Sequence, residues 1–182
     1  KIAFSWEKDK MEPLENSETI NCVIENIKYA ITSETTCKVV GAEWGAREAI
    51  IPEEVTIDGK QYKVTAVGTK AFSVSRFERI ELPVGITEIE DNAFECWYLK
   101  SVKLPDGLTV MGNLVFNCCK WIETVEIPDS VKSIGSDAFK NCRGLTSITI
   151  SNSVTSIGSS AFSGCSGLTS IEIPNCVTSI GD

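Results

Sequence analysis

Glu81, Lys103, Glu126, Thr149 and Glu172 follow one another at intervals of 22, 23, 23 and 23 residues. Paired carboxylates can carry acid–base or nucleophilic chemistry, as in glycoside hydrolysis. Here, however, they stand at equivalent positions of a repeat with Lys103 and Thr149 between them, the pattern of a solvated repeat surface. The chain of 182 residues contains no histidine, which removes His-dependent triads and histidine-ligated metals. Eight cysteines remain. Cys96, Cys119, Cys142 and Cys165 each lie 23 residues from the next, so they are repeat positions too. Stacked coils put equivalent Cα atoms about 4.8 Å apart, and parallel Cβ vectors keep Cβ atoms about that far apart, beyond the ~3.8 Å of a disulfide. These four are expected to be reduced, buried thiols acting as small hydrophobes. There is no C-x-x-C pair, and neither a structural metal nor a cofactor is expected. The expectation is a protein without catalysis.

The repeat is clearest in the phenylalanines Phe72, Phe94, Phe116, Phe139 and Phe162, spaced 22, 22, 23 and 23. Units of that length cannot bury an apolar face alone and stack into a solenoid. In Leu145-Thr146-Ser147-Ile148-Thr149-Ile150, alternation turns Leu145, Ile148 and Ile150 inward and Ser147 and Thr149 outward along a short strand. Pro83, Pro105, Pro128 and Pro174 end such strands, and Ser151 is the exception. Val154 to Gly158 gives a second extended piece, and Ser159 to Phe162 a tight helical or 3₁₀ turn that drops the ring into the core. Gly135, Gly158 and Gly181 mark left-handed or close-approach positions, with Glu90 in their column.

Residues 1–45 lack the repeat. Ile20 to Ile31 and Cys37 to Val40 alternate around Thr32-Ser33-Glu34-Thr35, a hairpin pattern expected to cap the first coil, while the charged stretch 7–18 reads as a loop. Residues 46–182 form the repeat domain, about six units with the last incomplete. Its first unit is eight residues longer than the regular 23 and carries an inserted hairpin, Val55 to Val64, turning at Asp58-Gly59. A Cys22–Cys37 bridge is left open if the protein is exported.

The succession Val125-Glu126-Ile127-Pro128, Val131, Ile134-Gly135, Ala138-Phe139, Cys142 and Leu145 resembles the BspA-type class of bacterial leucine-rich repeat, over about three quarters of the chain. The resemblance implies a right-handed leucine-rich-repeat solenoid of the horseshoe type, β-rich with short helical or 3₁₀ turns. It also implies an exported or surface-displayed protein of host-associated bacteria, an adhesin-like binder, and no catalytic residues to carry over.

Binding has a specific candidate. Where the regular units place Gly144 and Gly167 just before the first strand, earlier units place Tyr98 and Trp121, with Trp97 alongside. Three aromatics then share one edge, a residue type enriched at hot spots; the bland alternative is that they pack over one another to cover a short coil. Glu81, Glu126 and Glu172, with Lys103 and Thr149, add a polar rim. The expected ligand is a protein or a glycan. A net charge of −8 and a pI near 4.7 argue against nucleic acid, and no apolar run reaches the ~20 residues of a membrane span. The rival function is a rigid spacer displaying other domains. The chain stops after Ile180-Gly181-Asp182 with its last coil covered on one side, so a longer array is expected, with an end that frays or pairs end to end with a second copy.

Overall fold

The computed structural model describes residues 19–43, 45–73 and 75–182; the charged stretch 7–18 lies outside the described residues. The N-terminal segment is a meander of β1 (Cys22–Ile24), β2 (Ile27–Ile31) and β3 (Thr36–Ala42). The single arm expected from Ile20 to Ile31 is thus two strands. Glu25 and Asn26 both adopt left-handed φ (48° and 67°), the conformation of a two-residue type I′ hairpin turn. Ile27 and Tyr29 are buried as the alternation requires, while Ile31 is exposed. Because β2 lies between the strands carrying Cys22 and Cys37, these thiols are two strand spacings apart, ~9.6 Å, beyond disulfide reach. Both are free.

β3 runs parallel to β6 (Lys60–Val67), with Val39 opposite Val67. The inserted hairpin forms as expected: β5 (Glu54–Ile57) pairs antiparallel with β6 around Asp58 and Gly59, at φ 51° and 80°. From here the chain stacks coil on coil along three columns. The first holds β4 (Glu48–Ile50), β7 (Arg79–Glu81), β9 (Ser101–Lys103), β11 (Thr124–Glu126) and β13 (Ser147–Thr149); the second follows β6 with β8 (Glu88–Ile89), β10 (Val110–Met111), β12 (Ser133–Ile134), β14 (Ser156–Ile157) and β15 (Ser179–Ile180). All pairings between coils are parallel. The third column is the Ala-Phe turn, whose amides also bond between coils: Phe94 N–H to Val115 O, Phe116 to Ala138, and Phe139 to Ala161. The five rings stack face to face with centroids 5.2–5.5 Å apart. Phe72, Phe94, Phe116 and Phe139 are completely buried and Phe162, at the end of the stack, half-buried.

Two expectations change. The Ala-Phe element is a turn, and the described residues contain no helix or 3₁₀ segment. Its bonds do close over three residues, as in Lys140 N–H to Asp137 O and Cys142 N–H to Phe139 O. A left-handed residue at Lys70, Asn92, Leu114, Asp137 and Ser160, φ 54–58°, interrupts any helical run in each coil. The glycines Gly135, Gly158 and Gly181 are therefore not the left-handed positions. They serve close approach: a Cβ at Gly135 would lie 2.2 Å from the Gly112 carbonyl oxygen, and at Gly158 2.4 Å from the Ser136 nitrogen. Glu90 occupies the same column by turning its carboxylate to Lys38 and Thr69.

Both sheets break at one interface. The first column pairs β4-β7-β9 and, separately, β11-β13; the second separates β10 from β12. The added residue behind the change from 22 to 23 is Cys118, which with Asn141 and Gly164 forms a second left-handed column (φ 62°, 59° and 75°). The corner before β9 lacks this residue and turns tightly, Cys96 N–H to Phe94 O at 2.5 Å, whereas the corner before β11 turns over three residues, Cys119 N–H to Phe116 O at 3.1 Å. The Phe column keeps its hydrogen bonds across the interface, and the Phe116–Phe139 pair is its most tilted, 17° against 6–9° elsewhere. At the C-terminal end Leu168, Ile171 and Val177 are half-buried, and Ile173 and Ile180 are exposed at 37% and 62%. No helix among the described residues is long and apolar enough to cross a membrane.

Candidate ligand-binding face

The first column presents two outward positions per coil. The register brings Glu81 opposite Lys103, and Glu126 opposite Thr149; Glu172 is exposed one coil further on. Glu81 is tied to Arg79 of its own strand, while Lys103 and Glu126 carry no ion pair among the described residues. At the β9/β11 break the face opens into a shallow groove of about 420 Å³ lined by Lys103, Asp106, Glu126, Asp129 and Ser151 among others. Ser151, the residue in place of proline, is buried and donates its hydroxyl to Asp129. The missing proline is visible in the sequence, whereas the groove is not. Its signal was the change of spacing, which falls where the ladder parts. Among the described residues no His/Cys/Asp/Glu group has the arrangement to hold a metal ion.

At the other end of the strands lie the aromatics. Trp97, Tyr98 and Trp121 are 53%, 46% and 60% exposed. None stacks on another ring among the described residues; Trp97 lies under the Lys120 ammonium, 4.2 Å from ring centroid to Nζ. All three are exposed side chains and none belongs to the core. The backbone explains why rings sit here and glycine later. A Cβ at Gly144 would meet the Lys120 carbonyl oxygen at 2.6 Å, and one at Gly167 the Arg143 carbonyl oxygen at 2.7 Å, so tightly stacked corners admit only glycine. Trp121 enters β11, which has parted from β9, and its side chain has room. Leu99, Ile122 and Leu145 close the core beneath this corner with no exposure. On the strand side, Glu78 accepts from Arg47 and Lys100, each at 2.7 Å. The bonds from Lys100, their charge and that of Arg47 hold its carboxyl below the usual range.

The repeat cysteines are structural. Cys119 donates to Phe94 O at 2.8 Å, Cys142 to Phe116 O at 3.0 Å, and Cys165 to Phe139 O at 3.0 Å. Burial pushes the Cys119 thiol well up, and the neighbouring Cys165 sulfur together with burial does the same for Cys142. Burial also raises Cys37, to about 11.

A coil built from parallel strands on two sides and a phenylalanine turn on the third, with no helix, is a leucine-rich-repeat β-solenoid. This chain belongs to the BspA type leucine rich repeat family, whose six-copy model matches residues 53–146 and 112–182. Among solved structures it is similar to a Treponema pallidum leucine rich repeat protein, at 29% identity and a TM-score of 0.69, covering 90% of this chain and 86% of that one. It is also similar to a leucine rich cell surface protein of Faecalibacterium prausnitzii, at 25% identity and a TM-score of 0.65, covering 90% of this chain and 51% of that one. This chain thus spans about half the length of that surface protein. The pneumococcal vaccine antigen PcpA shares the fold at 24% identity, with a TM-score of 0.69 over 89% of this chain and 46% of that one. No curated protein matches the chain.

Proposed function

We propose that this chain is the non-catalytic recognition region of an exported surface protein, binding a host macromolecule through the first-column face and its aromatic corner. Strands β1–β3 act as the cap of the first coil, and the coils from residue 46 display the site. The observation that carries the reading is the exposure of Tyr98 and Trp121 where regular coils hold glycine, with the exposed Trp97 beside them. Large rings left in water by a fold that could have used glycine favour an interaction surface. The family and the cell-surface relative support both the binding role and the location. Lys103, Glu126, Thr149 and Glu172 supply a polar flank, and Glu81 is already engaged by Arg79.

A rigid spacer is the second reading, favoured by the continuous phenylalanine stack and by the small outward residues Ser147, Thr149 and Ser170 of the later coils. An array of matrix proteins and glycans probed with the chain and with Trp121→Ala separates the two. The recognition reading expects at least one ligand whose affinity falls more than about fivefold in the variant; no ligand, or one indifferent to Trp121, supports the spacer.

A further inference from the structure

Trp97, Tyr98 and Trp121 share their corner with cations. In the column that begins at Trp97 the next coils place Lys120 and Arg143, each 23 residues on. Lys120 stands over the Trp97 ring and makes no hydrogen bond or ion pair among the described residues, so its three N–H donors are not committed to a protein acceptor. The exposed Arg143 side chain likewise has no partner among them. The nearby carboxylates are mostly engaged: Glu78 serves Arg47 and Lys100, and Glu95 accepts from Ser73 and Asn117. The Glu123 carboxylate makes no ion pair among the described residues. Arg47, Lys100, Lys120 and Arg143 thus stand against Glu78, Glu95 and Glu123 in this part of a chain whose net charge is −8. The corner offers flat rings and cationic donors but no aliphatic pocket, since Leu99, Ile122 and Leu145 below are fully buried.

We propose that this corner binds an acidic glycan, with a pyranose ring stacked on Trp121 and carboxylate or sulfate groups held by Arg143 and by Lys120, which stands over Trp97. The proposal rests on the recognition reading above and names its ligand class. A sugar ring presents a C–H face to an indole and needs no pocket for an apolar side chain, which this corner lacks. An ammonium over an indole face is held by the ring quadrupole and keeps its N–H groups for an incoming anion. Guanidinium forks pair with carboxylate or sulfate oxygens in two parallel bonds.

The test measures binding of a hyaluronan hexasaccharide, a heparin hexasaccharide, neutral cellohexaose and a hexaglutamate peptide to the whole chain, by calorimetry and tryptophan fluorescence. At least one acidic sugar is expected to bind about tenfold or more tighter than cellohexaose, with the preference shrinking as salt rises from ~0.05 to ~0.5 M. Hyaluronan alone assigns carboxylate, and heparin alone sulfate. The double variant Lys120→Ala/Arg143→Ala should abolish the preference while Trp121→Gly weakens every sugar. Equal binding of cellohexaose, hexaglutamate binding as tight as either acidic sugar, an unaltered double variant, or no sugar binding at all overturns the proposal. If the sugars fail but Trp121→Gly still weakens a protein ligand from the array, the recognition reading survives; if Trp121→Gly alters nothing, that reading falls as well.

Discussion

The coils before and after the sheet break are built from the same unit to different tolerances. After it, the corner carries a left-handed residue at Asn141 and Gly164, glycine sits where backbones touch at Gly144, Gly158 and Gly167, and β11, β13, β12, β14 and β15 pair in register. Before it, the corner at Cys96 is one residue short, Glu90 stands in the glycine column, and Tyr98 and Trp121 stand where glycine recurs later. Side chains appear at positions the regular stack closes to them. The difference shows that repetition builds the scaffold and that departures from it create surface with a chemistry of its own.

The largest effect expected tests the shared scaffold. Phe139 is fully buried between two stacked rings, so Phe139→Ala should cost about 3–5 kcal/mol in urea unfolding, whereas the half-buried Phe162 should cost clearly less. Equal losses would show that the stack is not the core. Next comes the tight side of the comparison. Gly158→Ala forces a Cβ to within 2.4 Å of the Ser136 nitrogen, and a loss of about 3 kcal/mol is expected from such overpacking; a neutral result would mean that these coils can spread as the earlier ones do.

On the irregular side, Glu90 offsets its place in the glycine column with a 2.7 Å ion pair to Lys38 and bonds from Thr69 N–H and Oγ1 at 2.9 and 2.8 Å. Glu90→Ala should cost about 2 kcal/mol. Burial pushes the Glu90 carboxyl up, but the Lys38 and Thr69 donors outweigh it and hold it below its ordinary range. The folded value is therefore lower than the unfolded one. This contribution is present above the unfolded value of ~4.3 and is lost as pH falls through the folded value. The wild-type advantage over Glu90→Ala should shrink on acidification below about pH 4, and an advantage that grew there would contradict the assignment. The smallest effect is on thiol chemistry: a thiol reagent in native buffer should label the exposed Cys176 first and leave Cys96, Cys119, Cys142 and Cys165 unmodified until unfolding.

The scaffold was legible because burial acts on every unit alike. The phenylalanine and cysteine columns follow from spacing, and Asp58-Gly59 from its turn chemistry. The left-handed corners were hidden because Leu114, Asp137 and Ser160 carry them in place of glycine, each held by bonds between coils that no local propensity reports. The Glu25-Asn26 turn was missed for a related reason, since only Asn26 hints at it. The aromatic corner was visible as a substitution pattern. Its setting beside the parting of β9 from β11 is a feature of the stacked coils that no single unit of the sequence displays.

The central claim is that the aromatic corner is surface made for a ligand and not cover for an ill-fitting coil. Trp121→Gly, which restores the residue of the regular units, tests it most directly when urea unfolding and ligand affinity are measured on the same protein. The account predicts a midpoint within about 0.5 kcal/mol of wild type together with an affinity loss greater than about 1 kcal/mol. A loss of several kcal/mol in stability with binding unchanged would contradict it.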